Sequence, residues 1–271
     1  MIFCTVHAGK NIFTNITVKS ILKFHPSAKI FIVDVTDPDT WLNEKFSPID
    51  DDIMGNVEVI SGIPSRHEHF PELNLGNLNV PHWARELIRC KVPSESIRTD
   101  TPDLHHTMNI QLAIDMIGEN FVLIDNDAPL IRPVNFHHSN IHVMGDLEKQ
   151  TTYPGCFPVI RNEITRILPY IQFMNVKFMK QKHIQYYDED ILVPNIDCAW
   201  FIDFYWHTGF MFPTGSLLYK QASARGINIF GIDHTRYVDH FWAATWNGNR
   251  NPHDFYAKYM HMFKNRDKFP G

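Results

Sequence analysis

Ten residues in the middle of the chain, Phe121-Val122-Leu123-Ile124-Asp125-Asn126-Asp127-Ala128-Pro129-Leu130, constrain its fold more than any others. Four consecutive apolar residues run straight into Asp-Asn-Asp, and Pro129 follows closely. An apolar run without alternation fits a strand of a parallel sheet that is covered on both faces. The carboxylates of Asp125 and Asp127 then emerge at the C-terminal end of a core strand, the edge at which open α/β sheets bind ligands. At positions i and i+2 they can approach one hard cation, which in turn can hold phosphate oxygens. The plainer alternative is a strand that ends in a turn, because Asp, Asn and Pro all favour turns.

The residues ahead of this stretch alternate between strand and helix. Ile2 to Val6 reads as a first strand. Residues 11–24 carry Ile12, Ile16, Val18, Ile21 and Leu22 at roughly helical spacing, and His25-Pro26 stops that helix. Lys29 to Val33 reads as a second strand with Asp34 directly after it, which completes a βαβ opening. Asp34 is placed either to accept hydrogen bonds from a ribose or base, or to make a turn. Gly9 stands alone in His7-Ala8-Gly9-Lys10, so neither the dinucleotide fingerprint nor the phosphate loop of an NTPase is present.

Further along, Val57 to Ile60 reads as a third strand, and prolines punctuate residues 61–104, with a short helix expected around Trp83–Cys90. Residues 105–117 read as a helix that packs through Met108, Leu112, Ala113, Met116 and Ile117 and ends at Gly118. Ile141 to Met144 reads as a strand, Tyr153 to Ile160 as an edge segment, and Glu163 to Gln172 as a helix kinked or shortened by Pro169. Val176 to Gln181 continues helical, Ser216 to Ala224 forms a helix capped by Gly226, and Ile227 to Ile232 is the last strand. The fold expected is α/β, with a mainly parallel central sheet and helices on both faces.

Composition narrows the function classes. The 271 residues are 44% hydrophobic and 13% aromatic, enough for one substantial core. A net charge of -5 argues against a nucleic-acid binder. It leaves an anionic substrate open, since a metal can invert the local field. Cys4, Cys90, Cys156 and Cys198 are far apart and form no CxxC pair, which fits reduced core thiols rather than disulfides or a zinc site. Neither a secretory signal nor an apolar span of roughly 18 residues is visible. The expected location is therefore cytoplasmic, with membrane association through a surface patch or a partner protein left open.

Four segments together resemble nucleotide-sugar glycosyltransferases of the GT-A fold, of the bacterial polysaccharide type. Asp125-Asn126-Asp127 matches their Asp-x-Asp motif in position and setting. Arg166-Ile-Leu-Pro-Tyr-Ile-Gln-Phe-Met-Asn-Val176 is similar to an Arg-x-x-Pro-Phe-Leu-x-Phe-Ile-Asn-Val segment, and Pro213-Thr-Gly-Ser-Leu-Leu-Tyr219 to Asp-Thr-Gly-x-x-Leu-Tyr. Ile232-Asp-His-Thr-Arg-Tyr-Val-Asp-His240-Phe-Trp-Ala-Ala-Thr-Trp246 resembles an ending Ile-Asp-x-x-x-Tyr-x-x-His-x-Gly-x-Gly-Ser-Trp. Two departures stand out. Pro213 replaces an Asp, unless His207-Thr208-Gly209 is the true match, and Trp242, Ala243 and Ala244 replace the glycines after His240.

The resemblance implies a metal-dependent enzyme holding Mn2+ or Mg2+ on Asp127, Asp125 and His240. It implies a nucleotide-sugar site made by His7, Asp34, His106, Asp125 and Asp127. Residues 1–130 would be the nucleotide-binding half, 131–246 the acceptor-binding half and 247–271 a C-terminal tail, all in one compact domain. Inverting transfer to a glycan or lipid-linked acceptor needs a base across the sugar from the diphosphate. The candidates are Asp188, Glu189, Asp190, Asp197 and Asp203, with Asp197 preferred because it interrupts an apolar stretch, and Trp200, Tyr205 and Trp206 are available to stack on an acceptor sugar. Two alternatives stay open: a retaining glycosyltransferase, or a catalytically silent domain of this fold that binds carbohydrate or a partner glycosyltransferase.

Overall fold

The computed structural model describes residues 1–36, 44–63, 102–136, 143–151, 163–186, 214–241 and 252–265. Seven strands form one sheet: β1 (Ile2–His7), β2 (Lys29–Asp34), β3 (Val57–Ser61), β4 (Phe121–Ile124), β5 (Val143–Thr151), β6 (Glu163–Met174) and β7 (Ile229–Gly231). Their spatial order is β3-β2-β1-β4-β6-β5-β7. Only the pairings of β6, with β4 and β5, are antiparallel. The C-terminal ends of the other six strands consequently share one edge of the sheet, and β6 starts there.

Both faces are covered, which explains the unbroken apolar runs. Cys4, Val6, Phe31, Val33, Phe121 and Leu123 point to one face. There they pack on α2 (Pro102–Ile117), α3 (Val176–Gln181) and α4 (Ser216–Ala224). Phe3, Ile30, Ile32, Val122 and Ile124 point to the other, against Val18 and Ile21 of α1 (Asn11–Phe24). Each fully buried side chain of this size contributes about 1.5–3 kcal/mol. The α/β expectation, with helices on both faces of a mainly parallel sheet, therefore holds. No helix among the described residues is long and apolar enough to cross a membrane.

Two expectations are corrected. Glu163 to Gln172 is not a helix but the greater part of β6. The spacing of Ile167, Leu168, Tyr170 and Ile171 imitates a helical face because a bulge interrupts the strand. Asp146 pairs with Leu168 whereas the preceding Gly145 pairs with Gln172, so Pro169 sits where β5 offers no ladder partner. Proline, lacking an N–H, is tolerated in a sheet at such a bulge. Gln172 repairs the ladder: its buried Nε2 donates to the carbonyls of Ile167 and Leu168, each at 2.9 Å. The second correction concerns α2: Ala113, Leu112 and Ile117 pack as expected, but Ile110 and Ile114 are buried with them and Met116 is 64% exposed.

Smaller differences are in boundaries. β5 runs on to Thr151, and the last strand is only Ile229–Gly231. The expected helix at Trp83–Cys90 and the edge segment Tyr153–Ile160 lie outside the described residues.

The C-terminal segment packs on the body of the protein. Phe255, Tyr256 and Tyr259 of α5 (Pro252–Tyr259), with Phe263, share a buried cluster with Ile12, Phe13 and Ile16 of α1. Asp50, 1% exposed, fastens the end of this segment by accepting from the backbone N–H groups of Lys264 and Asn265, each at 3.0 Å. Its carboxylate also meets Lys19 of α1 at 2.7 Å. Burial pushes this carboxyl up, but Lys19 and the two N–H groups outweigh it and leave the pKa lowered. Asp50→Ala is expected to cost about 2–4 kcal/mol in urea unfolding. The contribution of a depressed carboxyl is present above its unfolded value, near pH ~4, and is lost as pH falls through the folded value. Stability curves of the wild type and Asp50→Ala should therefore converge in acid.

Candidate functional site

Asp125 follows β4 directly, and the turn after it is fixed from three sides. The Asp125 N–H donates to the carbonyl of Tyr170, and the Ala128 N–H closes the turn on the Asp125 carbonyl at 3.1 Å. Asn126, the middle residue of the motif, is buried and donates through Nδ2 to the Ala8 carbonyl at 2.7 Å, while Thr17 Oγ1 donates to the Asn126 carbonyl at 2.8 Å. Asn126 thus ties the motif to the β1–α1 loop and to α1. Removing it should free the loop without removing a ligand. Asn126→Ala is expected to weaken divalent-cation binding about tenfold, as changes around a ligand set do, read by calorimetry.

The third side is a long-range pairing. Residues 237–241 run beside 127–131: Ile131 N–H donates to the Tyr237 carbonyl, Asp239 N–H to Pro129 and Phe241 N–H to Asp127, at 2.9–3.0 Å. Leu130 and Val238 form an antiparallel bridge. This places His240 Nε2 3.3 Å from Asp127 Oδ1, and it stacks the imidazole on Tyr170 with ring centroids 3.7 Å apart. One ligand atom from each of Asp125, Asp127 and His240 lies within 4.8 Å of the others. The structure thus brings together the three residues that the resemblance implies as metal ligands.

Burial and a neighbouring charge act together on the Asp127 carboxyl. Asp127 is 2% exposed, and burial above all pushes its carboxyl up. His240 pulls it back, and the charge of Asp125 pushes it up again. Against burial and a second carboxylate stand the imidazole of His240 and a backbone hydrogen bond, and the carboxyl stays raised. Two carboxylates and one imidazole offer ligand atoms for a divalent cation. The residues present therefore fit a metal.

The remaining nucleotide-site residues stand differently. His7 is fully buried with both ring nitrogens engaged: Nδ1 with Thr14 Oγ1 at 2.6 Å and Nε2 with the Glu44 carbonyl at 2.8 Å. Burial lowers its pKa. Asp34 accepts from the Thr36 and Phe46 N–H groups, both at 3.1 Å, and from the Thr36 hydroxyl. Together these two residues pin the Glu44–Phe46 segment against the ends of β1 and β2. Glu44 in turn accepts from the Asn11 N–H at 2.7 Å, supplying a carboxylate to the N-terminus of α1. His106 is half-buried on α2 and is not among the three residues that converge at β4. Asp188, Glu189, Asp190, Asp197, Asp203, Trp200, Tyr205 and Trp206 lie outside the described residues, as do Pro213 and His207.

Sequence reasoning passed over Tyr170, the ring on which His240 rests, because Tyr170 was assigned to a helix. It also passed over Asp146 and over the pairing of Asp146 with His234. A signal existed for Asp146: like Asp34 and Asp125, it follows a short apolar run that reads as a strand.

No family model matches the chain, and no curated protein does. Among solved structures it is similar to the galactosyltransferase LgtC in complex with donor and acceptor sugar analogs. The two are 10% identical, over 84% of this chain and 73% of that one, with a TM-score of 0.44. It is also similar to an active-site mutant of LgtC, 11% identical over 80% of this chain and 69% of that one, with a TM-score of 0.42.

Proposed function

We propose that the chain is a metal-dependent glycosyltransferase that moves a sugar, with inversion, from a nucleotide-sugar donor to a glycan or lipid-linked acceptor. The observation that carries this reading is the convergence of Asp125, Asp127 and His240 at the C-terminal end of β4. Asp127, Asp125 and His240 would hold Mn2+ or Mg2+, and when bound such an ion offsets charge that develops on a diphosphate leaving group. Asn126 and Tyr170 keep the ligand set in place from behind.

The nucleotide lies over the ends of β1 and β2 in this reading. His7 and Asp34 serve it indirectly, by holding the Glu44–Phe46 wall, and His106 approaches from α2. The acceptor takes the opposite side, toward β5 and β7, with Trp200, Tyr205 and Trp206 as the aromatic residues available to stack on it.

The test is incubation of the chain with a panel of nucleotide sugars and Mn2+. Release of nucleoside diphosphate is followed, and the product anomer is assigned by NMR. An inverted anomer is the expected result. A retained anomer removes the inverting mechanism, and no release from any donor removes the enzyme.

A further inference from the structure

Asp146, the residue after the last pairing of β5 with β7, meets His234 just beyond the end of β7. Asp146 Oδ2 accepts from the His234 backbone N–H at 3.1 Å and from the ring Nδ1. A carboxylate only accepts, so this pairing puts a proton on Nδ1. Nε2 then has no hydrogen-bond partner among the described residues, on a side chain still 14% exposed. Asp233 brings a third ligand atom within 4.8 Å. However, its Oδ1 already accepts from the Thr235 N–H and hydroxyl, at 3.1 and 2.6 Å. With Asp146 committed to Nδ1 and Asp233 to Thr235 and Arg236, the group reads as an oriented imidazole rather than a second cation site.

The dyad stands one ring away from the candidate metal centre. Tyr170 meets His234 edge-on at 4.8 Å and stacks on His240, and the two imidazoles are 6.5 Å apart. It lies on the β5–β7 side of the sheet, away from β1–β3. In the glycosyltransferase reading, a hydroxyl that attacks the donor sugar from the side opposite the nucleotide would approach along this wall.

We infer that His234, oriented by Asp146, is the general base of the transfer; the inference rests on the glycosyltransferase reading above. The acceptor oxygen bonds to the anomeric carbon, and the bond from that carbon to the diphosphate oxygen breaks, its electron pair leaving with the diphosphate. The hydroxyl proton moves to His234 Nε2. Asp146 is a positioning residue that keeps Nε2 free to accept and stabilises the imidazolium that forms. His234 thereby takes the role that sequence reasoning gave to Asp188, Glu189, Asp190, Asp197 or Asp203.

The experiment uses the full chain with UDP-glucose, UDP-galactose, UDP-N-acetylglucosamine and GDP-mannose. Water serves as acceptor, since the same base removes its proton. Release of nucleoside diphosphate is measured beside calorimetric titration of UDP and GDP with Mn2+. His234→Ala is expected to bind the diphosphate within about twofold of wild type and to release it about 10²–10⁴-fold more slowly, a typical general-base contribution. Added imidazole should restore part of the rate, and Asp146→Asn should fall between the two proteins. Wild-type release by His234→Ala overturns the inference. So does joint loss of binding and release that imidazole does not rescue, because His234 would then support the site instead of moving a proton. A wild type that binds neither diphosphate overturns the glycosyltransferase reading itself, and the base with it.

Discussion

Asp127→Ala should abolish the dependence of diphosphate binding on Mn2+ and slow nucleotide release by about 10²–10³-fold, the scale of losing one fixed electrostatic contact to a leaving group. The same change should leave the cation-free protein as stable as wild type, or more so. Asp127 is buried beside Asp125, and burial pushes its carboxyl up further than His240, at 3.3 Å, and a backbone hydrogen bond pull it down. A group in that setting costs stability without its ligand, as functional groups commonly do. Thermal melts give the decisive contrast. Mn2+ should raise the melting temperature of wild type by mass action and leave that of Asp127→Ala unmoved. A variant that is destabilised yet still stabilised by Mn2+ would place the cation elsewhere.

The second large effect is on the fold. Gly215, in the turn that opens α4, has φ +86°. A Cβ built there would lie 1.9 Å from the Ile167 carbonyl oxygen and 3.0 Å from its carbon. Backbone cannot swing aside as a side chain does, and β6 is anchored here by its bulge. The positive φ and the forced separation of α4 from β6 should together cost Gly215→Ala about 2–5 kcal/mol. That is a large part of a typical domain's stability. Gly226 is the control: it has φ +64° but nothing within 4 Å of a Cβ. Gly226→Ala should cost about 1 kcal/mol, the backbone contribution alone. Urea unfolding of the two variants separates conformation from contact. Equal losses would mean that the turn does not press on β6.

What the sequence disclosed, and what it concealed, follows from the range of the interactions. β1, α1, β2 and β4 were legible because their patterns are local and uninterrupted. The same holds for α4, which ends before the left-handed Gly226. β6 was not, because a bulge around Pro169 shifts which side chains face the core, and two apolar pairs across it imitate a helical turn. The burial of Ile110 and Ile114 rather than Met116 depends on how α2 rolls on the sheet, which periodicity alone does not set.

At the site, Asp125 and Asp127 announced themselves by following an apolar run. Their closeness to His240, more than a hundred residues away in sequence, needed the pairing of 237–241 with 127–131. The resemblance places His7 at the nucleotide. Both its nitrogens are in fact used to hold the chain's own Glu44 segment and Thr14, a fact that only tertiary structure supplies. Asn126, which reads as a turn residue, proves to be the tie between the motif and the first loop.

The most direct measurement is calorimetric titration of the wild-type chain with UDP and with GDP, each in the presence and absence of Mn2+. One of the two should bind in a single site when Mn2+ is present, and its affinity should fall at least about tenfold when Mn2+ is withheld, as expected when an ion holds the diphosphate. Binding of neither diphosphate, or equal binding with and without Mn2+, would contradict a nucleotide-sugar site built on Asp125, Asp127 and His240.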